Sequence, residues 1–501
     1  MSDAPAPPAA DSSAPIDPPP PCAALAGGWT GGKLLRVARL FGPAAIVASV
    51  AIGAGETIIV VRAGAFHGYG LLWMILASVL AKGVFATYLL GRYAAISGEP
   101  LGQRLVRVPG PRGWLLFVLM FLELAAAGPL WAAIARPSGE LVGFLVYGSE
   151  VASHPGFATG VSIAFIALAL LLSLALTYEG LERQQLVICS ILVVGTVIGT
   201  VLVQPDLRAA LAGFLAFGNF PHPVEGAPPE FRSHAAAMLA VTFGYVGGSV
   251  MTYLVYPDWI ALHGWGMSGH PRIDDIRRRA AAGTPADYLP TDPAAVKAVL
   301  RSIAPLKWDV AAGAAVLLIV TAAFMLAGAA VIYPKLQSGE LHSAFSGWSL
   351  LTSQAAIWRA IHPSLVWVYY ICVLVALWGT LQAYPDIYAR CVTEYAGAIW
   401  PQRKFDQPKI QRALCLYTFL AATGMILSGV NFDAMVAITA FLATNLGVAI
   451  AVLAALYLNF QLPRAYRTRG WVLAGGALAA VALLAVSAIA GWGVWEKLFG
   501  G

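Results

Sequence analysis

Eleven long apolar segments constrain this chain more than any other feature. They run at roughly 42–66, 71–90, 114–134, 161–178, 186–203, 235–262, 310–333, 365–388, 414–430, 435–457 and 471–490. Each is long enough, or nearly so, to cross about 30 Å of hydrocarbon as a helix. Only 11% of the 501 residues are charged, where a soluble protein of this length carries about 25%. A bilayer is the solvent that accepts such a surface, and a polytopic all-α membrane protein is the fold class that follows.

Basic residues set the expected orientation. With the N-terminus in the cytoplasm, 23 of the 31 Lys and Arg residues fall in inner segments, among them Lys33, Arg104, Arg277, Arg278, Arg279, Arg390 and Arg467. The positive-inside rule therefore predicts N-in, and eleven passes place the C-terminus outside. The same bias accounts for the net charge of +6, so nucleic acid drops out as a partner and the lipid bilayer takes its place.

The organisation follows from these spans. Residues 1–32 read as a Pro-rich cytoplasmic tail, with Pro18 to Pro21 consecutive, and their composition predicts disorder. They lack the basic stretch and short apolar run of a cleaved signal. Residues 33–460 form a ten-helix core, in two halves of about 40–205 and 233–458, and residues 461–501 add an eleventh helix. The inner loop 263–309 is the largest hydrophilic stretch. The outer loop 334–364 places Trp348, Leu350, Leu351, Ala355, Trp358 and Ile361 at helical spacing and predicts a helix lying at the interface. The five cysteines (Cys22, Cys189, Cys372, Cys391 and Cys415) show no metal-binding spacing and read as reduced core residues. Neither a phosphate loop nor a His-Glu-x-x-His pair occurs, so the chain reads as a non-enzyme without a cofactor.

Two spans are interrupted. The first reads ASVAIGAGETIIVV, with Gly53, Gly55, Glu56 and Thr57 at mid-span, and the sixth reads TFGYVGGSVMTYLVYPDW, with Gly247, Gly248, Met251, Thr252 and Tyr253. The breaks, expected at 53–57 and 247–252, hold the first position in each half. Paired interruptions of this kind point to an inverted-repeat transporter with its binding site at mid-membrane. Glycines that only let helices pack closely are the competing explanation.

Glu56 is the sharpest residue, because a mid-bilayer carboxylate is costly unless paired, protonated or ligating. Its structural alternative is an ion pair with Arg62 or Lys82. Met251, beside an unwound turn, offers a soft ligand for a transition metal. Asp258 and Asp386 each end a Tyr-Pro-Asp triplet and read either as an inner vestibule for cations or as interfacial acids reaching water. Gln382 and Asn445 are polar residues within spans eight and ten, candidates for the site or for packing hydrogen bonds. Arg62 could neutralise Glu56, snorkel outward or bind an anionic group.

At these residues the chain resembles the natural resistance-associated macrophage protein (Nramp) family of divalent-metal transporters. The similar stretches are GPAAIVASVAIGAGETIIVVRAGAFHGYGLLW, LERQQ and QPDLRAALAGFLAFGNFP, and the resemblance covers most of residues 40–460. It implies a five-plus-five inverted repeat of the LeuT type with eleven transmembrane helices, helices 1 and 6 discontinuous. It also implies alternating-access import of a divalent metal. The family's Asp-Pro-Gly-Asn stands here as Gly53-Ala54-Gly55-Glu56, so the metal-binding Asp is Gly53 and the Asn is Glu56. The metal-binding Met is Met251, and the second histidine of the sixth helix is Asp258. Leu130 and Ala133 stand where third-helix acids linked to proton movement are expected, with only the preceding Glu123 matching. The implied site is Glu56 and Met251 with oxygens near Gly53, Thr252, Tyr253 and Asn445. Asp258, Glu123, Asp386, Gln382 and Arg62 are pathway or coupling candidates. Retained Met251 favours Mn²⁺ or Fe²⁺ over Mg²⁺. A same-fold carrier of an organic solute, such as an amino acid or organic cation, is the alternative.

Overall fold

The structure is a computed structural model, and it describes residues 16–499 apart from 29, 54, 342–350, 353, 356–357 and 360–361. Every regular element among the described residues is helical. Ten helical runs are long and apolar enough to cross a membrane, or eleven when the bent pair Gly31–Ala38 and Pro43–Ala51, angled by 63°, counts as a span.

The run Gly55–Ser97 holds two passes. Along the seventh helix, Ala304–Ala327, Gly313 abuts Ala44 and Met325 abuts Gly64, so the first and seventh helices run the same way. Gly83 then faces Ala314 and Leu317, and Gly91 faces Leu306, which is the opposite direction. The chain has reversed between them, at Gly68, whose φ of 60° suits a residue without Cβ. The first pass is therefore Pro43–Ala51 plus 55–67, and eleven passes result.

Several helices overrun their expected ends, the third and eighth by the most. The third spans Trp114–Tyr147 and the eighth Leu365–Ile399. The expected ends fell where charge begins. Arg136 pairs with Glu140 at 3.3 Å and Asp386 with Arg390 at 2.7 Å, both one helical turn apart. Pairing lets the helices continue through those charges.

Other expectations shift as well. Residues 1–15 of the Pro-rich tail lie outside the described residues. Ile16 is buried, and its amide donates to the Tyr288 carbonyl at 2.9 Å, whereas Ala26, Gly27 and Gly28 are exposed. The inner loop carries two helices, Ile273–Ala282 and Pro293–Ser302. In the outer loop, Trp348, Leu350 and Ile361 lie outside the described residues. Leu351, Gln354 and Ala355 are buried and pack inward, where an interfacial helix was expected.

Spans one and seven meet through two glycines. A Cβ on Gly64 would strike the Met325 carbonyl, and one on Gly328 would strike the Val61 carbonyl. Close backbone approach through small residues is how helices gain contact in lipid. Gly328→Val should therefore lower stability by about 1–3 kcal/mol through overpacking. The check is its melting temperature in detergent against that of Gly397→Val, at a position with open space around it.

Candidate functional site

The first break includes Ile52 and Gly53, which follow Pro43–Ala51, and a π-helical turn resumes over Gly55–Val60. Most of its backbone finds partners within the protein. The Gly53 carbonyl accepts from the Thr57 amide at 3.1 Å and the Thr57 hydroxyl at 2.8 Å. The Ile52 carbonyl accepts from the Thr380 hydroxyl at 3.4 Å. Thr380 also fills the space beside Gly53, where a Cβ would lie 2.7 Å from its hydroxyl oxygen. The place of a side chain at position 53 is thus occupied by a neighbour from the eighth helix.

Glu56 is fully buried at this break. Its carboxylate accepts from the Gly53 amide at 3.2 Å and from the Thr321 hydroxyl at 3.5 Å, a long contact. Among the described residues it forms no salt bridge. Arg62 pairs instead with Asp433 at 2.7 Å and lies over the Phe231 ring at 4.4 Å.

Lys82 also bypasses Glu56, although the two groups feel each other's charge. Its ammonium donates to the carbonyls of Phe243, Gly244 and Val246 at 2.9, 2.6 and 3.2 Å. These are the last carbonyls of Ala235–Tyr245 and the first residue past it. The Ser78 hydroxyl lies within 2.9 Å of the Phe243 carbonyl and 2.8 Å of the Val246 carbonyl.

The sixth helix unwinds over 246–249 and restarts at Val250–Leu254, so Met251 and Thr252 sit on a helical turn rather than in the expected break at 247–252. Gly247 has φ 110°, a backbone only glycine adopts readily. The Gly248 amide donates to the Tyr253 hydroxyl at 2.8 Å. Glu123, fully buried, accepts from the Ser249 hydroxyl at 2.7 Å and the Met251 amide at 3.2 Å. A cation thus meets the carbonyl end of one half-helix and a carboxylate meets the amide end of the other, as their dipoles favour.

The structure divides the sequence candidates into groups. Glu56 lies with Gly53 and Thr321. Met251 lies with Glu123, alongside Thr252 and Tyr384, which both reach Ser249. Asn445 packs on the first half of the sixth helix, donating to the Ala240 carbonyl at 3.1 Å, and its Oδ1 has no partner among the described residues. Gln382 accepts from the Trp378 indole at 2.7 Å and also from Gln184. Asp258 and Asp386 flank Arg390 at 2.9 and 2.7 Å. They form an ion-paired cluster where an open acidic vestibule was one expectation.

Sequence reasoning missed Asp309. It is fully buried at the start of the seventh helix and accepts from the Gly42 and Ala44 amides, both at 2.9 Å, and from the Tyr256 hydroxyl at 2.8 Å. It caps the first half-helix and ties it to the sixth. Beside it, Glu182 pairs with His263 at 3.1 Å. At the other end, Gln354 donates to the Thr57 carbonyl at 2.8 Å and accepts from Tyr369 at 3.0 Å. Glu56 is closed off from both ends. Lys82 carried the same signal as Glu56, a charge inside an apolar segment. Asp309 carried none, since its partners are distant in the chain.

Wide π-helical turns mark this centre. Three of them, Gly55–Val60, Val79–Ala86 and Ala440–Leu446, carry Glu56, Lys82 and Asn445 in turn. Such turns gather at functional sites. No group of three His, Cys, Asp or Glu residues able to hold a metal occurs among the described residues. Any cation at Glu56 would be completed by hydroxyls, carbonyls, water or a thioether.

Eleven passes with the first and sixth broken at mid-span, around buried charges, define a membrane protein of the inverted-repeat transporter class. More narrowly, the chain belongs to the Nramp family, since the model for natural resistance-associated macrophage protein-like sequences matches residues 44–493. It is similar to the divalent metal cation transporters MntH of Deinococcus radiodurans and Chromohalobacter salexigens. Each is 28% identical over 224 residues, 44% and 43% of this chain respectively. The match spans less than half of those relatives, 45% of each. Among solved structures, a manganese transporter of Eremococcus coleocola bound to an aromatic bis-isothiourea compound superposes with a TM-score of 0.58. It is 14% identical, covering 95% of this chain and 90% of that one. A mutant of the same transporter gives 0.57 at 16% identity, covering 95% and 90%. At that identity the likeness is one of fold.

Asp309 offers the most direct perturbation of the closed Arg-rich end. Asp309→Asn removes the charge and turns one of the two acceptor oxygens into a donor, so at least one of the three hydrogen bonds is lost and the rest weaken. Hydrogen bonds to a charged group contribute about 1.5–3 kcal/mol each. The first half-helix should then detach more often. Cys189, buried with its thiol on the Ala45 carbonyl at 3.4 Å, reports this. Its alkylation should quicken by about tenfold or more, since each 1.4 kcal/mol is a factor of ten.

Proposed function

We propose that this protein carries a divalent metal cation across the membrane by alternating access, with Glu56 as the charged ligand. The observation that carries the reading is the state of that carboxylate. It is fully buried at a helix break, without a salt bridge among the described residues; the Gly53 amide at 3.2 Å and the Thr321 hydroxyl at 3.5 Å donate to it, and the amides of Glu56 itself and Gly247 face it as well. The two measured contacts are long and none of the donors is charged, so a cation would compete well for this carboxylate. Family membership and the divalent metal cation transporters among its relatives support the same cargo class.

The direction proposed is into the cytoplasm, with the N-terminus and the Arg-rich end inside a bacterial-type plasma membrane. Basic residues at that end support the orientation. Cargo enters past Gln354 and leaves past Asp309 and Arg390, whose contacts open in turn. Met251 favours Mn²⁺ or Fe²⁺ over Mg²⁺ as cargo, because a thioether suits a softer ion. Leu130 and Ala133 stand in place of the acids expected from the family, so the reading includes no proton coupling of the family kind. Glu123 and Asp258 remain candidates for any other coupling.

A same-fold carrier of an organic solute is the second reading. Thr380 beside Gly53 and the ammonium of Lys82 near Glu56 favour it, since both reduce the anionic character that a metal site needs.

In proteoliposomes presented with Mn²⁺, Fe²⁺, Mg²⁺, Ca²⁺ and labelled amino acids, with and without a pH gradient, uptake of Mn²⁺ or Fe²⁺ is expected. Glu56→Gln should reduce it by at least about tenfold, the effect of 1.4 kcal/mol. Undiminished uptake by that variant would remove Glu56 from the site, and uptake of an organic solute alone would favour the second reading.

A further inference from the structure

We propose that Lys82 is a resident cation: its ammonium permanently fills a monovalent-ion site at the broken sixth helix, so that no free ion is needed there. The site is built by backbone. Residues 243–246 turn three carbonyls toward one point, and the Lys82 nitrogen lies 2.6–3.2 Å from all three. An ammonium has three N–H donors, and three acceptors are present. The nitrogen's remaining bond is to its own stem, so its coordination is complete.

Two further observations separate this from a lysine that happens to be buried. The acceptors form the C-terminal end of a half-helix, where the dipole is negative and where transporters of this architecture place a coupling ion. Ser78, one turn before Lys82, contacts two of the same carbonyls and holds them in place. In addition, the Lys82 stem runs along Gly247, whose missing side chain leaves room for it: a Cβ there would lie 3.2 Å from the lysine Cδ. The position is fully buried, with the Phe243 ring 5.4 Å from the nitrogen. A free cation reaching this point would find every carbonyl occupied. The ammonium is also tethered to the second helix, so it cannot travel with the cargo. It therefore closes the break and supplies its charge without being transported.

The test removes the tethered cation and offers free ones. Purified Lys82→Ala, which opens the carbonyl set, is melted in detergent with rising methylammonium, Na⁺ or choline chloride. The expected result is a melting temperature below wild type that rises by several degrees with methylammonium or Na⁺ and not with choline, as binding to the folded state requires. Lys82→Met, which keeps the stem and loses the charge, should be destabilised and show no such rise, because its side chain still fills the site. Wild type should melt alike in all three salts. A Lys82→Met protein as stable as wild type, a Lys82→Ala protein indifferent to small cations, or a Na⁺-specific rise in wild type would each overturn the proposal. The Lys82→Met and wild-type arms decide even if Lys82→Ala cannot be isolated. None of these readings involves cargo, so they stand apart from whether metal uptake is found.

Discussion

In hydrocarbon, every backbone amide and carbonyl needs a partner, and breaking a helix leaves several without one. This constraint organises the middle of the protein. At the sixth break the carbonyl end is met by Lys82 and Ser78, and the amide end by Glu123 and the Tyr253 hydroxyl. At the first break Thr57, Thr380 and Glu56 perform the same service. The buried charges are thus part of what makes interrupted helices tolerable in lipid. They also leave few backbone groups free, which is why the proposed cargo site rests on the Glu56 carboxylate.

The two ends of the broken helices are held by different sets of contacts. The Arg-rich end uses charge: Asp309 on two helix-start amides and a tyrosine, and Arg390 between Asp258 and Asp386. Opening there means resolvating several charged groups together. The opposite end sets the neutral amide of Gln354 against the Thr57 carbonyl, and beyond it Arg62 pairs with Asp433 at 2.7 Å. A neutral hydrogen bond is exchanged for water at little net cost. Opening either end therefore means resolvating at least one buried ion pair.

Much of this frame was legible in the sequence. Apolar length and basic residues located the eleven passes, and the glycine pairs located both breaks to within a few residues. Glu56 stood out because a charge in an apolar run is conspicuous. The helix overruns past Arg136 and Asp386 were not legible, since their charges neutralise each other only once the helix exists. Asp309 was hidden because it acts on residues 42, 44 and 256, far away in the chain. Lys82 was visible as a charge, yet its destination on carbonyls rather than on Glu56 depends on the three-dimensional path of the sixth helix. The altered motif at 53–56 could be read, but the filling of its space by Thr380 could not.

That last feature bears on how the site changes over generations. Position 53 and Thr380 share one volume, so neither residue is free to vary alone. An acidic side chain arriving at 53 while Thr380 remains would meet a clash before it gained a ligand. Removing Thr380 first would open a void and release the Ile52 carbonyl, with no compensating benefit. A side chain at 53 is therefore accommodated only if Thr380 shifts or changes with it. Any change of chemistry at this break is thus a change of two positions, one on the first helix and one on the eighth.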